Sequence, residues 1–262
     1  MLATPRSGSS LVYAALAWHL FRRSGVIPLS EAFNVYQNLQ IDGETLRAGP
    51  FDYSATFTPE RAAEIERERV DLVTRAPGAY FFKVMPGQLS TFTIKTWLLR
   101  HYEPVFVERR NLFEQYVSLL ISMTTGKWHA PGPIRFTPAS LNVSPSHARW
   151  VRVRLEEMYT SYLSFKLLVP SAPVLVYEEF SDRTDPAELC RRAGIPEPAD
   201  FSAYQSRLSR NPPLEEKLAC FTEPELVIAE YRRSKLSELF GSAPATFANP
   251  GRGGEDQERT AE

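Results

Sequence analysis

Cysteine is scarce in this 262-residue chain: Cys190 and Cys220 are the only two. They lie far apart in helix-like contexts, with neither metal-ligand spacing nor the density of a disulfide framework. A reducing, cytoplasmic setting is the expectation. Excess charge is missing as well. Thirty basic residues stand against thirty-one acidic ones, a formal charge of −1. That excludes an extended basic nucleic-acid surface, so no nucleic-acid partner is expected, while a local basic cluster can still hold a small anion. Apolar runs are short. Leu11 to Phe21 is interrupted by His19, cannot cross a bilayer, and follows a polar loop rather than the short basic start of a cleavable signal. No integral membrane segment is expected, and no internal repeat is found.

What is there is enough apolar material for a core: 43% hydrophobic and 12% aromatic residues exclude global disorder. The length sits at the upper end for one domain and also admits two. We read one α/β domain over residues 1–245 and a disordered tail over 246–262, "NPGRGGEDQERTAE" being its polar end.

Strand-like and helix-like segments alternate. Ser10 to Arg23 has helical length, with two arginines in its last turn and Gly25 as a stop. "VIPLSEAF" is β-compatible. Thr58-Pro59 gives a cap and a first-turn proline to a helix through Val73. "AYFFKVM", "PVFVERR" and "APVLVYEEF" read as buried strands. Helices are expected over Gln88 to His101, Asn111 to Thr125, Ser144 to about Leu168, Pro186 to Ala193 and Thr222 to Phe240. Strands separated by helices predict right-handed crossovers and a central parallel sheet covered by helices on both faces, a three-layer arrangement.

Two segments carry chemistry. "ATPRSGSSLVYAAL" places a small polar turn between a very short strand, Met1 to Ala3, and a helix. A helix start offers unsatisfied N–H groups and the positive dipole end, which favour an anion. Gly8 permits close backbone approach, Ser9 and Ser10 add donors, and Arg6 adds a charge with several donors. The logic is that of a P-loop without its lysine or its first glycine; an ordinary capped helix reads from the same residues. The second segment is "VFVERRNLFEQYVS", where Ser118 follows Arg110 by eight residues, a little over two helical turns. A guanidinium at a strand's carboxyl end with a hydroxyl nearby suits a phosphate, although arginine after a strand is also the common solvated end.

Taken together these segments resemble the sulfotransferase family, which uses 3′-phosphoadenosine-5′-phosphosulfate. "TPRSGSSL" is similar to the family's 5′-phosphosulfate loop, and "RRNLFEQYVS" to its 3′-phosphate motif. "FFKVMPGQL", "TGKW" and "VLVYEEF" resemble further landmarks of the bacterial carbohydrate-type branch. The similarity runs from Thr4 to about Phe180. It implies a P-loop-like α/β fold, the sulfate donor as cosubstrate, and transfer to a hydroxyl, less readily an amine, of a small-molecule, carbohydrate or lipid acceptor. By carry-over, Arg6, Ser7, Gly8, Ser9 and Ser10 hold the 5′-phosphosulfate and Arg110 with Ser118 the 3′-phosphate. The first strand has three residues before the loop where the family shows a longer run: either it is frayed or the natural start lies upstream. The animal cytosolic branch carries a catalytic histidine where this chain has Met85, and a thioether is no base.

The resemblance assigns the base to Glu31, in "LSEAFNV", with Glu44 and His129 in reserve; a surface glutamate is the plain alternative. A positioned base contributes about 10²–10⁴-fold, and a carboxylate near the donor's anionic groups has its pKa raised. Arg6, and Lys83 at a strand end, are the cations for the leaving oxygen; a lysine stem packed at a strand terminus is the alternative for Lys83. A sulfuryl group carries less charge than a phosphoryl group, and no metal is expected. For the acceptor, Phe33, Asn34, Tyr36, Trp128 and His129 are candidates, with core packing the alternative for Phe33 and Tyr36. Tyr177 and Glu178 are candidates to support the site from behind, and Arg207 and Arg210 are candidates to close over the nucleotide. His19 reads as a helix-face residue and His101 as a helix end. A P-loop phosphotransferase using ATP with magnesium, and a non-catalytic nucleotide-binding protein, are the competing readings. The oligomeric state is left open, a homodimer being compatible.

Overall fold

Strand β1 (Leu2–Ala3) is two residues long, and its two side chains enter two different cores. Successive side chains of a strand face opposite ways. Leu2 joins a cluster with Phe82, Phe106 and Tyr162, while Ala3 joins one with Val107, Leu175 and Leu189. A computed structural model describes residues 1–34, 37–46, 58–128, 137–180, 186–195 and 212–240. Within it the chain divides into two compact units, Met1–Arg110 with Glu157–Leu208, and Asn111–Glu156 with Ser209–Glu262.

After β1 come helix α1 (Ser9–Ser24), strand β2 (Ile27–Ser30), a hairpin of β3 (Leu39–Ile41) and β4 (Glu44–Leu46), helix α2 (Pro59–Arg75) and strand β5 (Tyr80–Phe82). A helical stretch follows, made of α3 (Thr91–Thr93), a π-helical turn (Ile94–Leu98) and α4 (Leu99–His101); strand β6 (Phe106–Glu108) ends the first stretch of this unit. Helices α5 (Leu112–Thr125) and α6 (Pro145–Leu168) precede strand β7 (Val174–Val176), a 3₁₀ turn (Tyr177–Glu179) and α7 (Pro186–Arg192). Helices α8 (Leu214–Ala219), α9 (Pro224–Arg232) and α10 (Lys235–Phe240) complete the described chain.

The first unit is α/β. Strands β1, β6 and β7 form a parallel sheet in the order β1-β6-β7, with Leu2 opposite Phe106 and Val107 opposite Leu175. On the other side, β2 pairs in parallel with β5. The two pieces meet at β1: the Ala3 N–H donates to the Val84 carbonyl at 3.1 Å and the Val84 N–H to the Met1 carbonyl at 2.8 Å. The parallel strands therefore run β2-β5-β1-β6-β7, and the direction of chain progression reverses at β1. That reversal is where open α/β sheets place ligands, beyond the carboxyl ends of the strands.

Local chemistry explains the boundaries. Helix α1 ends at Gly25, which takes the left-handed conformation at φ 65°. Thr58 caps α2 by accepting from the Arg61 N–H at 3.3 Å. The stretch expected to begin at Gln88 begins instead at Thr91, because the Ser90 hydroxyl caps it, accepting from the Thr93 N–H at 3.2 Å. The β3–β4 hairpin was not expected; Asp42 and Gly43 turn it with φ of 50° and 80°, the geometry an Asp-Gly pair favours.

The described helices of the second unit pack around aromatic rings. Tyr231 lies 5.1 Å from Phe113 and 5.6 Å from Tyr116, centroid to centroid. The buried Lys217 ammonium lies 2.6 Å from Glu114 Oε1, and Arg152 Nε lies 3.0 Å from Glu230 Oε1. The single helix expected over Thr222 to Phe240 is two. The Ser234 hydroxyl accepts from the Leu236 N–H at 3.0 Å and so caps a new start.

Candidate functional site

The turn after β1 sits at the reversal point of the sheet. Arg6 and Gly8 both have positive φ, 60° and 81°. No side chain caps α1, and its first turn holds no acidic residue, so nothing in that turn opposes an anion. The Ser7 hydroxyl is fully buried and has no hydrogen-bond partner among the described residues. Such a buried orphan is unusual in a native structure. Gly8 has a second role. A Cβ there would stand 2.0 Å from Cδ2 of Tyr177, so the bare backbone is what lets this ring, just past β7, close against the turn.

The arginine pair after β6 divides between inside and outside. Arg109 is buried; its Nη1 donates to the Arg6 carbonyl at 3.3 Å and its guanidinium lies over the Tyr177 ring, 4.7 Å from the centroid. Its Nε stands 3.9 Å from Glu178 Oε1. Burial, then the charge of Arg109, hold the Arg6 guanidinium below its usual pKa, against a smaller opposing effect of Tyr177. Arg110, the residue the sequence motif singled out, has a side chain 66% exposed and pairs with Glu179 at 2.9 Å. Its N–H donates to Glu178 Oε2 at 3.0 Å. Strand alternation explains the choice. Val107 faces the α1 side of the sheet, Glu108 faces the other way to Lys166 at 2.8 Å, and Arg109 returns to the side of Val107. Ser118 lies in α5 of the second unit, buried, its carbonyl accepting from the Ser122 hydroxyl at 3.0 Å.

The second cluster is built by register. Ser30 of β2 stands opposite Phe82 of β5, so the next residues after the two strands, Glu31 and Lys83, emerge side by side. Ser30 bends with φ 53°; its N–H donates to the Tyr13 oxygen at 2.6 Å, and Tyr13 in turn donates to the Phe81 carbonyl at 3.1 Å. The Lys83 N–H closes the turn on the Ser30 carbonyl at 2.7 Å. Both side chains are buried, 7% exposed for Glu31 and 3% for Lys83. Lys83 Nζ lies 2.8 Å from Glu31 Oε1 and 3.3 Å from the hydroxyl of Ser10, in the first turn of α1. Glu31 Oε2 accepts from Asn34 Nδ2 at 2.9 Å and from Gln88 Nε2 at 3.0 Å.

Burial pushes the Glu31 carboxyl up, but the charge of Lys83 and the hydrogen bonds from Lys83, Asn34 and Gln88 outweigh it, and the group lies below its usual pKa. The sequence reading anticipated a raised value from the donor's anionic groups. It did not weigh the nearby lysine, whose charge and hydrogen bond, together with the two amide hydrogen bonds, outweigh burial in the protein alone.

Other expected residues fall elsewhere. Phe33 is a core residue, 1% exposed, set edge-on to Phe82 at 5.3 Å and Trp97 at 5.5 Å. Asn34 is engaged with Glu31. Glu44 is an exposed partner of Arg75 at 2.5 Å. His19 is buried on α1, and the exposed His101 ends α4. Trp128 is half-buried in the second unit. Tyr36, His129, Arg207 and Arg210 lie outside the described residues, as does the tail over 246–262. Sequence reasoning missed Arg109 and Gln88. Among the described residues no group of three or more His, Cys, Asp or Glu is placed to hold a metal ion, and no helix is long and apolar enough to cross a membrane. Compared with known protein families and with curated proteins, the chain matches none.

Proposed function

We propose that this protein transfers a sulfuryl group from 3′-phosphoadenosine-5′-phosphosulfate to a hydroxyl of a small-molecule, carbohydrate or lipid acceptor. The observation that carries the reading is the buried Glu31–Lys83 pair, 2.8 Å apart, with Lys83 also within 3.3 Å of the Ser10 hydroxyl at the anion turn. A carboxylate and a cation thus stand together beside the loop expected to hold the donor.

Two further features support it. The strand order β2-β5-β1-β6-β7, with the turn at the reversal, is what a P-loop-like sheet requires. The orphaned Ser7 hydroxyl is a buried donor that an anionic oxygen would satisfy. Arg6, Ser7, Gly8, Ser9 and Ser10 are the residues that fit the 5′-phosphosulfate. Within the first unit, Arg110 is the residue that the resemblance directs to the 3′-phosphate.

When bound, the donor supplies a sulfuryl group on a phosphate leaving group. Glu31 accepts the proton of the acceptor hydroxyl. Lys83 and Arg6 place positive charge where the leaving oxygen gains negative charge, a preorganised stabilisation of the kind that dominates many group transfers. To serve there, Lys83 turns from Glu31 toward the donor, and Glu31 loses the partner that holds its pKa down. The base is thereby strengthened when the donor is in place.

Calorimetry separates this from a phosphotransferase. The protein should bind 3′-phosphoadenosine-5′-phosphate and not ATP with magnesium; the reverse result overturns the reading. Glu31→Gln should keep bisphosphate binding while turnover drops about 10²–10⁴-fold. Turnover equal to that of the unaltered protein would remove Glu31 from its role.

A further inference from the structure

Gln88 is a polar side chain that neither motif nor resemblance singles out, and its geometry leaves it one orientation. It follows the turn Met85–Gly87, in which Gly87 takes φ 88°. The Gln88 N–H donates to the Met85 carbonyl at 3.0 Å, and the Met85 N–H donates back to Gln88 Oε1 at 2.9 Å. An N–H can meet only the oxygen end of the amide, so the NH₂ end is turned away from it and reaches Glu31 Oε2 at 3.0 Å.

The consequence follows from counting acceptor sites. A carboxylate has about four lone-pair positions, two on each oxygen. Oε2 of Glu31 receives two donors, Asn34 and Gln88, and is saturated. Among the described residues, Oε1 receives Lys83 alone. Among the described residues, the groups that meet Glu31 come from its own turn (Asn34), from the residue after β5 (Lys83) and from the turn beyond it (Gln88); of these Lys83 is the only charged one, and the Ser10 hydroxyl of α1 reaches Lys83.

We propose that Gln88, together with Asn34, occupies Oε2 and leaves Oε1 as the proton-accepting atom of Glu31, which makes Gln88 a positioning residue for the transfer. The inference rests on the reading of Glu31 as base. In the step, the acceptor O–H bond breaks and its proton goes to Oε1. The electron pair left on the acceptor oxygen forms the new bond to sulfur. The bond from sulfur to the phosphate oxygen breaks, its pair staying on the phosphate beside Lys83 and Arg6. Because both lone pairs of Oε2 are taken, a proton approaching from that side finds no site. An acceptor hydroxyl is therefore steered to the edge of the carboxylate nearest Lys83.

The test uses the full chain labelled with ¹³C at glutamate carboxyl carbons, the Glu31 signal being identified by its loss in Glu31→Gln. Two variants are titrated. Gln88→Met removes the donor to Oε2. Gln88→Glu keeps an acceptor for the Met85 N–H, and so protects the turn, but sets a like charge against Oε2. The Glu31 midpoint should rise by about one pH unit in Gln88→Met, the size of one lost charge-assisted hydrogen bond, and by more in Gln88→Glu. Bisphosphate affinity should stay unchanged in Gln88→Met, which adds no charge beside Lys83. A midpoint that moves in neither variant overturns the inference. If the unaltered protein fails to bind the bisphosphate, the sulfotransferase reading falls instead, and the titration still decides whether Gln88 sets the state of Glu31.

Discussion

Lys83 Nζ and Glu31 Oε1 are 2.8 Å apart, and neither side chain is more than 8% exposed. A buried pair of this kind gives little net stability over an apolar pair of the same volume, yet removing one member leaves a charge stranded. Lys83→Met and Glu31→Gln should each cost about 3–5 kcal/mol, and the double variant much less than their sum. Denaturant unfolding of the four proteins, taken as a double-mutant cycle, measures the difference; additive costs would mean the two groups do not interact.

The same pair sets a pH dependence. The folded-state pKa of Glu31 lies below its ordinary value of 4.5. Its contribution is therefore complete above that value and is lost as pH falls through the lower folded value. In Lys83→Met the carboxyl keeps its two amide donors but loses the charge opposite, so its pKa rises and the acid-side loss shrinks. Unfolding midpoints measured across the acid range should show a shallower decline in the variant. An identical decline would place the acid sensitivity elsewhere.

Gly8 is held open for Tyr177. Gly8→Ala brings a methyl group to 2.0 Å from Cδ2 of the ring and puts a side chain at φ 81°. Overpacking costs about 1–3 kcal/mol, and the left-handed backbone about 1–2 kcal/mol more. Gly8→Ala combined with Tyr177→Ala relieves the contact and leaves the backbone term. A partial recovery of Tm in the double variant, beyond what Tyr177→Ala alone predicts, is the expected outcome; no recovery would mean that the ring is not the obstacle.

Much of the fold was legible from local chemistry. Gly25, Thr58, Pro59 and Asn111 mark helix ends where the caps are found, and the apolar cores of β5, β6 and β7 lie inside the expected runs. The β3–β4 hairpin was missed although its signal stands in the sequence: Asp42-Gly43 follows a strand of buried Leu39, exposed Gln40 and buried Ile41. The inward choice of Arg109 over Arg110 needs only the alternation begun at Val107. The Glu31–Lys83 pair is different. It depends on the parallel register that sets Ser30 opposite Phe82, and no periodicity in either segment carries that information. Asn34 and Gln88 inherit the same difficulty, since their meeting point is defined by Glu31.

Tyr13 braces the bend that precedes Glu31. Its ring stacks on Phe81 at 5.0 Å, and its oxygen both accepts from the Ser30 N–H and donates to the Phe81 carbonyl. Burial pushes its pKa up to about 12, against the Ser30 hydrogen bond that lowers it. Tyr13→Phe keeps the stack and removes both bonds, for a loss of about 1–2 kcal/mol. Absorbance titration should lose one late-titrating phenol, and a variant in which every late phenol remains would contradict the assignment.

Arg69 of α2 is the most buried arginine of the described chain, 1% exposed, and its guanidinium holds two backbone carbonyls. Nη1 donates to the Ala32 carbonyl and Nη2 to the Gln37 carbonyl, each at 2.5 Å, so one guanidinium ties both sides of the segment that carries Asn34. Burial holds its pKa below the usual arginine value, with Glu68 a smaller opposing effect. Lysine offers a point charge and no fork, so Arg69→Lys should satisfy one carbonyl and strand the other. Arg69→Ala strands both, at about 1–3 kcal/mol for each. If the guanidinium acts on this segment rather than on the unit at large, the amides of Asn34 and Gln37, which donate to the Glu31 and Asn34 carbonyls, should exchange with solvent faster in Arg69→Lys while those of β6 do not change. Acceleration spread evenly over both would show that Arg69 supports the unit as a whole and leaves the Glu31 turn no more dependent on it than any other part.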